Sequence, residues 1–306
     1  MSGKTKSKSD SGLDHKLFLG CVIPARLPFI ESSAKKVFEK LEIKMTNMEN
    51  ASCCPDPTGI PAVDQTAWLT LGARNLSLVK NKEDDIISLC SGCVETLKMV
   101  DHILDKEPEK MKEVNDNLAK IDKKLDGRVV VKHGAQLLYE NLDLVKSKIV
   151  KPLKGLKVAV HYGCHFLSPS DIIQWDNPFE PTTVDEIIRV LGAESLDYES
   201  KLQCCGNPIL KTDKDLAYDL LYKKLSDMKN AGINCITVVC PSCFLQFDYQ
   251  QKAVNKKYKT DFKFPVLYLT ELVALAFGFN DKELGLKFHG TKPKKMLQEL
   301  NIISRE

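Results

Sequence analysis

Long hydrophobic runs are missing from this sequence. The most apolar window, Val266–Phe279, has fourteen residues and includes Glu271, whereas a helix that crosses a membrane needs about 20. The window reads as a strand followed by a core helix. Excess charge of one sign is missing too. The 44 Lys and Arg against 41 Asp and Glu leave +3 over 306 residues, which makes no electrostatic case for nucleic acid. There is no P-loop and no GxGxxG loop, so no nucleotide site of those kinds is expected, and no flavin or nicotinamide motif is visible. A C-x2-C-x2-C run of the ferredoxin type is also absent, which leaves no obvious port for an external reductant. The start is rich in Lys and Ser (Lys4, Lys6, Lys8), but no apolar stretch follows it. Residues 1–12 are therefore expected to be a disordered basic tail and not a secretion signal, and the expected location is the cytoplasm.

What the sequence has in abundance is cysteine. There are eleven: Cys21, Cys53, Cys54, Cys90, Cys93, Cys164, Cys204, Cys205, Cys235, Cys240 and Cys243. With 43% hydrophobic and 28% charged residues the composition is globular. A chain this long buries a sizeable core and divides into about two domains, so it does not need disulfides to make up for a small one. An odd count excludes complete pairing within the chain. A reducing compartment leaves metal binding or catalysis as the work of the thiols.

The cysteines form a pattern used twice. Cys21 is followed after 31 residues by Cys53-Cys54, and after 35 more by Cys90-Ser91-Gly92-Cys93. Cys164 is followed after 39 residues by Cys204-Cys205, and after 34 more by Cys240-Pro241-Ser242-Cys243. The surroundings repeat as well. An apolar run ending in Gly-Cys precedes both Cys21 and Cys164, Ile86–Leu89 matches Ile236–Val239, and Val131–Leu137 aligns with Val266–Leu272. Only Cys235 stands outside the pattern, and it reads as a plain core residue.

Short β-branched runs such as 158–161 and 236–239 read as strands, and the apolar spacing over 31–41, 61–80, 184–191 and 213–230 reads as helical. The expected fold class is α/β: two pseudo-repeated small α/β domains with parallel sheets and cysteines at strand ends, where open sheets bind ligands. The expected division is an N-terminal domain over 13–152 with a charged, solvated helical insertion at about 105–128, a C-terminal domain over 153–280, and a C-terminal extension over 281–306 that reads as a frayed tail or a docking segment.

Five thiols per repeat restrict the chemistry. A structural zinc site takes four ligands and leaves the fifth idle in both repeats. A thioredoxin-type CxxC needs only two cysteines. A cubane iron–sulfur cluster uses four thiolates, so five suit a larger or opened cluster in which one thiolate bridges or one iron gains a ligand.

Two copies of this cysteine pattern resemble the CCG-domain family, that of the heterodisulfide reductase B subunit in methanogens, over about Leu17–Phe279. The resemblance implies that each repeat holds a noncubane [4Fe-4S] cluster. Cys21, Cys53, Cys54, Cys90 and Cys93 would hold one, and Cys164, Cys204, Cys205, Cys240 and Cys243 the other. The departure is Pro55, which stands where the second repeat has Gly206. The implied activity is reduction of the mixed disulfide of coenzyme M and coenzyme B to two thiols, in methanogenesis. The implied partners are a ferredoxin-like iron–sulfur protein (the C subunit) and a flavin-containing protein (the A subunit), in an assembly fed by a hydrogenase or formate dehydrogenase and coupled to ferredoxin reduction by electron bifurcation. Two other readings stand beside it: an electron-relay component of a fumarate, succinate, glycolate or lactate oxidoreductase, and a zinc-stabilised interaction protein.

Such a substrate is anionic at both ends, so cations near the cysteines are candidate contacts. These are Arg26, Arg74, Lys132, His165 and Lys211. His133 opens a helix in the unit that recurs at Tyr268, and is a candidate proton donor or a helix-capping histidine. His161, in the strand before Cys164, reads as buried and not catalytic.

Overall fold

The computed structural model describes residues 14–81 and 83–305; the basic stretch at residues 1–12 lies outside them. Among the described residues, eight short strands form two four-stranded sheets. The first contains β1 (His15–Phe18), β2 (Met45–Asn47), β3 (Ile86–Ser88) and β4 (Val131–His133), ordered β2-β1-β3-β4. The second contains β5 (Lys157–His161), β6 (Glu194–Ser195), β7 (Cys235–Val238) and β8 (Val266–Tyr268), ordered β6-β5-β7-β8. Every pairing is parallel. A parallel sheet is covered by helices on its faces, and its strands are accordingly apolar along most of their length. β7 is buried at all four positions and β5 at four of five.

The order places a switch point between β1 and β3 and another between β5 and β7. In each sheet the chain leaves one of these strands toward one edge and the other toward the opposite edge. The crevice at such a point, beyond the carboxyl ends of the strands, is the natural ligand position of an open α/β sheet. Cys21 and Cys90 follow β1 and β3, and Cys164 and Cys240 follow β5 and β7.

One apolar core runs through both halves and includes Leu17, Ile30, Phe38, Val158, Ile236, Phe244 and Leu272. A second, smaller cluster lies around Phe18, Trp68, Leu97, Val100 and Leu118. Each large apolar side chain buried in them is worth roughly 1.5–3 kcal/mol relative to exposure. The charged segment near 105–128 contains the helix Pro108–Ala119. It buries Val114, Leu118 and Leu125 in the second cluster and turns its charges outward.

The halves are pinned reciprocally. His133 ends β4 and Tyr268 ends β8, each at the N-cap position of the helix that follows; His133 Nδ1 accepts from the N–H of Ala135, and the N–H of Tyr268 donates to Glu271. His133 Nε2 meets the carbonyl of Val239 at 2.8 Å, and the Tyr268 hydroxyl donates to the carbonyl of Leu89. Those carbonyls immediately precede Cys240 and Cys90. Ser33 and Thr270 add a hydroxyl pair at 2.7 Å.

The C-terminal extension is not frayed as far as it is described. Leu284, Leu286, Leu297, Ile302 and Ile303 are buried. His289 is also buried, with its ring nitrogens 2.9 Å from the carbonyl of Val266 and from Glu271 Oε1. Burial alone would lower the pKa of His289, but Glu271 outweighs it and raises it. Asp248 accepts from the backbone N–H groups of Gly290 and Thr291. The apolar positions in this segment are too widely spaced to announce a packed element in the sequence.

Candidate metal centre

The turn out of each first strand is built on glycine. Gly20 and Gly163 have φ of +65° and +75° and deliver Cys21 and Cys164. A Cβ on Gly20 would lie 2.7 Å from Cys93 Sγ, and one on Gly163 would lie 3.5 Å from Cys243 Sγ. A side chain at Gly20 would crowd the Cys93 thiol, whereas at Gly163 the contact would be an ordinary one and the positive φ is the reason for glycine. Cys90 and Cys240 are the extended residues from which the helices Ser91–Lys106 and Pro241–Tyr249 start. Cys93 and Cys243 sit in the first turn of those helices and point the same way.

The adjacent pairs are held by loops. Asn75 is buried, accepts from the backbone N–H of Ser52 at 2.9 Å and donates to the carbonyl of Cys53 at 3.0 Å. Arg74 donates to Asn50 O and Ser52 Oγ in the same loop. Thr96 Oγ1 donates to the carbonyl of Pro55 at 2.8 Å. In the second repeat Gly206 has φ +85°, and its N–H reaches Cys204 Sγ at 3.4 Å.

All ten repeat cysteines line a single cavity of about 360 Å³, together with His161, His165, Asp56 and Asn207. Neighbouring thiols shift one another's ionisation in an unbroken series. It runs from Cys21 through Cys53, Cys54, Cys93 and Cys90 to Cys240, and on through Cys243, Cys205 and Cys204 to Cys164. Two of the separations are 3.8 Å (Cys21–Cys53) and 3.5 Å (Cys205–Cys243). The halves touch at Cys90 and Cys240.

Such packing suits thiolates only with cations among them. Hydrogen bonds from Cys164 and Cys205 pull Cys204 down to about 2, and those from Cys53 and Cys93 pull Cys54 down to about 5. The neighbours go the other way: Cys205 is pushed up to about 12 by Cys204, and Cys93 well upward by Cys54 and Cys90. One anion thus costs its neighbours theirs. Holding many of them as thiolates at once calls for positive charge among the sulfurs. Soft sulfur donors in a pocket with a buried floor (Cys54, Cys93, Cys205, Cys240, Cys243) and an exposed rim (Cys21, Cys53, Cys164, Cys204) fit iron–sulfur clusters. Cys235 sits in β7 away from the cavity, with its thiol pushed up by burial.

The other sequence candidates separate. His165 is at the cavity wall, ion-paired through Nδ1 with Glu95. Burial opposes its protonation, but Glu95 prevails and its pKa rises. His133 does not line the cavity. It is a buried cap and interdomain pin, pushed down to about 4 by burial. Lys132 is paired with Glu140 at 2.7 Å, outside the cavity lining. Arg26 and Lys211 are exposed and do not line it either.

Two residues near the second group of thiols were not singled out as functional by the sequence. His161 is 1% exposed, and a ring nitrogen and the sulfurs of Cys205 and Cys243 lie within 4.8 Å of one another. Burial, followed by the charge of Lys224, pushes it down to about 3. Lys224 is fully buried, donates to the carbonyl of Ser200, and is lowered to about 8 by burial against the opposing pull of Cys205 and Cys243. A lysine in the amphipathic helix Lys214–Asn230 looks like a surface residue in sequence, which hides it.

Among known families, the CCG model, described as a cysteine-rich domain, matches residues 15–98 and 158–248. A Methanosarcina acetivorans protein named as the B subunit of ferredoxin/F(420)H(2)-dependent CoB-CoM heterodisulfide reductase is 37% identical, covering 94% of this chain and 97% of its own. The B subunit of the ferredoxin:CoB-CoM heterodisulfide reductase of Methanosarcina mazei is 36% identical over the same shares. The 8-methylmenaquinol:fumarate reductase membrane anchor subunit of Wolinella succinogenes is 32% identical, covering 88% of this chain and 94% of its own. Among solved structures, a hypothetical protein from Helicobacter pylori superposes with a TM-score of 0.70 at 18% identity, over 91% of this chain and 52% of that one. It shares the fold.

Proposed function

The chain belongs to the CCG cysteine-rich family, and from that premise we propose that it is the iron–sulfur component of a heterodisulfide reductase in which the mixed disulfide of coenzyme M and coenzyme B is cleaved to two thiols. The observation that carries the reading is the single cavity walled by two complete sets of five thiols. Cys21, Cys53, Cys54, Cys90 and Cys93 would hold one noncubane [4Fe-4S] cluster, and Cys164, Cys204, Cys205, Cys240 and Cys243 would hold the second.

Disulfide reduction consumes two electrons and two protons and yields two thiols. Clusters bound by these thiols would supply the electrons, one at a time from each. The chain's own residues do the rest. The glycine turns at Gly20 and Gly163 keep the space beside the thiols clear. His165, whose protonation is favoured by Glu95 against the opposing effect of burial, offers positive charge to an anionic substrate and, when protonated, a proton to a departing thiolate. The buried pins at His133 and Tyr268 hold the two walls at fixed separation, so that one substrate touches both. Arg26, Lys211 and Lys132 lie on the outside, where they suit partner contact better than substrate contact.

Electrons arrive from two partner proteins, the ferredoxin-like C subunit and the flavin-bearing A subunit, in a cytoplasmic assembly with a hydrogenase or formate dehydrogenase that couples this reduction to ferredoxin reduction by bifurcation. Among the described residues no helix is long and apolar enough to cross a membrane. The relative named as a fumarate reductase membrane anchor supports a second reading, an electron relay without its own substrate.

The two readings part on one experiment. The reduced, cluster-loaded protein is mixed with the coenzyme M–coenzyme B disulfide and followed by electron paramagnetic resonance. The catalytic reading predicts a new cluster signal and released thiol with the mixed disulfide. An unchanged spectrum with no thiol released favours the relay.

A further inference from the structure

The two cysteine sets match position for position, but the residue three places before the first cysteine does not. In the first repeat it is Phe18 and in the second it is His161. The rings occupy equivalent places. Phe18 Cε1 lies 3.9 Å from the position a Cβ would take on Gly20, and His161 Nε2 lies 4.0 Å from the same point on Gly163. An apolar edge beside one thiol set is replaced by a polar edge beside the other.

His161 is otherwise without a reason to be polar. It is 1% exposed, and neither ring nitrogen makes a hydrogen bond within the protein. The Lys201 backbone approaches the ring without reaching hydrogen-bond geometry. Phe247 packs against the ring at 4.9 Å, edge to face. A buried imidazole with no partner is costly, and such a group needs an explanation. The groups it faces are sulfurs: Cys205 and Cys243, within 4.8 Å. It lines the cavity itself.

We propose that His161 donates an N–H hydrogen bond to a sulfur of the cluster held by Cys164, Cys204, Cys205, Cys240 and Cys243, and so makes the two clusters unequal electron acceptors. The inference rests on the two-cluster reading above. A donor is preferred to an iron ligand because the first repeat builds its site on the same five cysteines with Phe18 in this place. A hydrogen bond to sulfur favours the reduced, more negative state and raises the reduction potential. The second cluster therefore fills first, and the two single-electron deliveries to one disulfide acquire an order. His161 is a positioning and tuning residue. Buried Lys224 adds positive charge on the same side, so the variant must isolate the imidazole.

The test is an anaerobic redox titration of the cluster-loaded protein, read by electron paramagnetic resonance, for wild type, His161→Phe and His161→Gln. Iron and sulfide per chain are measured alongside. Wild type is expected to show two midpoints. In His161→Phe the higher one falls by about tenfold in the reduced-to-oxidised ratio, about 59 mV for one electron, at unchanged iron. In His161→Gln, which keeps an N–H, part of the separation is restored. An exchangeable proton coupled to the cluster signal, read by electron–nuclear double resonance in deuterated buffer, is present in wild type and lost in His161→Phe. Unchanged midpoints at full iron content in His161→Phe overturn the inference and leave the two-cluster reading intact. Loss of iron in both variants overturns it by making His161 a ligand. A wild type that holds no iron overturns the two-cluster reading and this inference with it.

Discussion

Replacing Cys205 with alanine is expected to remove about half of the bound iron and to lower mixed-disulfide reduction by at least about 100-fold. Cys205 sits inside the second thiol series, 3.5 Å from Cys243 and in contact with Cys204. Its side chain is nearly fully buried, and alanine differs from it by one sulfur atom, so the fold tolerates the change at a cost of about 1 kcal/mol. The loss is therefore chemical. If both walls of the cavity act on one substrate, removing one wall abolishes turnover even though the other remains loaded, as happens when residues act as a unit. Cys235→Ala is the control. That residue is equally buried but lies in β7 outside the cavity lining, and its replacement leaves iron and turnover unchanged. Iron and acid-labile sulfide per chain, with thiol release, check both. Half the iron with full turnover in Cys205→Ala contradicts the two-site mechanism.

Gly206→Ala is expected to destabilise the protein by about 2–5 kcal/mol, the sum of about 1–2 kcal/mol for a left-handed alanine and about 1–3 kcal/mol for overpacking. Gly206 has φ +85°. A Cβ there would lie 2.8 Å from the carbonyl oxygen of Ala217 and 3.1 Å from its Cα. Both atoms are backbone and cannot swing aside. At about 2–3 °C per kcal/mol for a chain of this size the unfolding midpoint drops by about 4–15 °C. The N–H that reaches Cys204 moves with it, so cluster retention falls in parallel. Gly92, also at the cavity, has no positive φ, and a methyl group placed on it would meet only Pro57 atoms, at 4.0 Å; Gly92→Ala is expected to stay within about 0.5 kcal/mol of wild type. Thermal unfolding of the two variants side by side separates them. Equal midpoints contradict the account of the turn.

The same turn explains why Pro55 is possible in one repeat and glycine is needed in the other. The backbone at Gly206 has a positive φ that proline cannot adopt and uses an N–H that proline lacks. The first repeat instead anchors its pair through Thr96 on the carbonyl of Pro55 and through Asn75 on that of Cys53. The departure in sequence marks a different loop bracing beneath a similar thiol placement.

The repeat, the parallel strands and the strand-end cysteines are legible in sequence because each rests on local signals: β-branched runs, Gly-Cys turns and a spacing used twice. What was not legible depends on how the halves meet. His133 invites a catalytic reading from its place at a helix start, yet its ring is spent on its own helix and on the carbonyl of Val239 in the other half. The reciprocal bond from Tyr268 is invisible for the same reason. Lys224 escapes notice because its burial is a tertiary property, and His161, though legible as buried, does so because its approach to Cys205 and Cys243 is tertiary too. A lysine on an amphipathic helix and a histidine in an apolar strand look ordinary until their surroundings are known. His165 became the one predicted cation at the cavity through Glu95, which reaches it from the helix that also carries Cys93.

The central claim is that two groups of five cysteines each surround a cluster at one cavity. Anomalous diffraction at the iron edge, on crystals of the full chain grown without oxygen, tests it most directly. The account predicts two separate groups of iron sites, one bordered by Cys21, Cys53, Cys54, Cys90 and Cys93 and the other by Cys164, Cys204, Cys205, Cys240 and Cys243, with none at Cys235. Zinc in place of iron, or a single metal group shared across the Cys90–Cys240 joint, would contradict it.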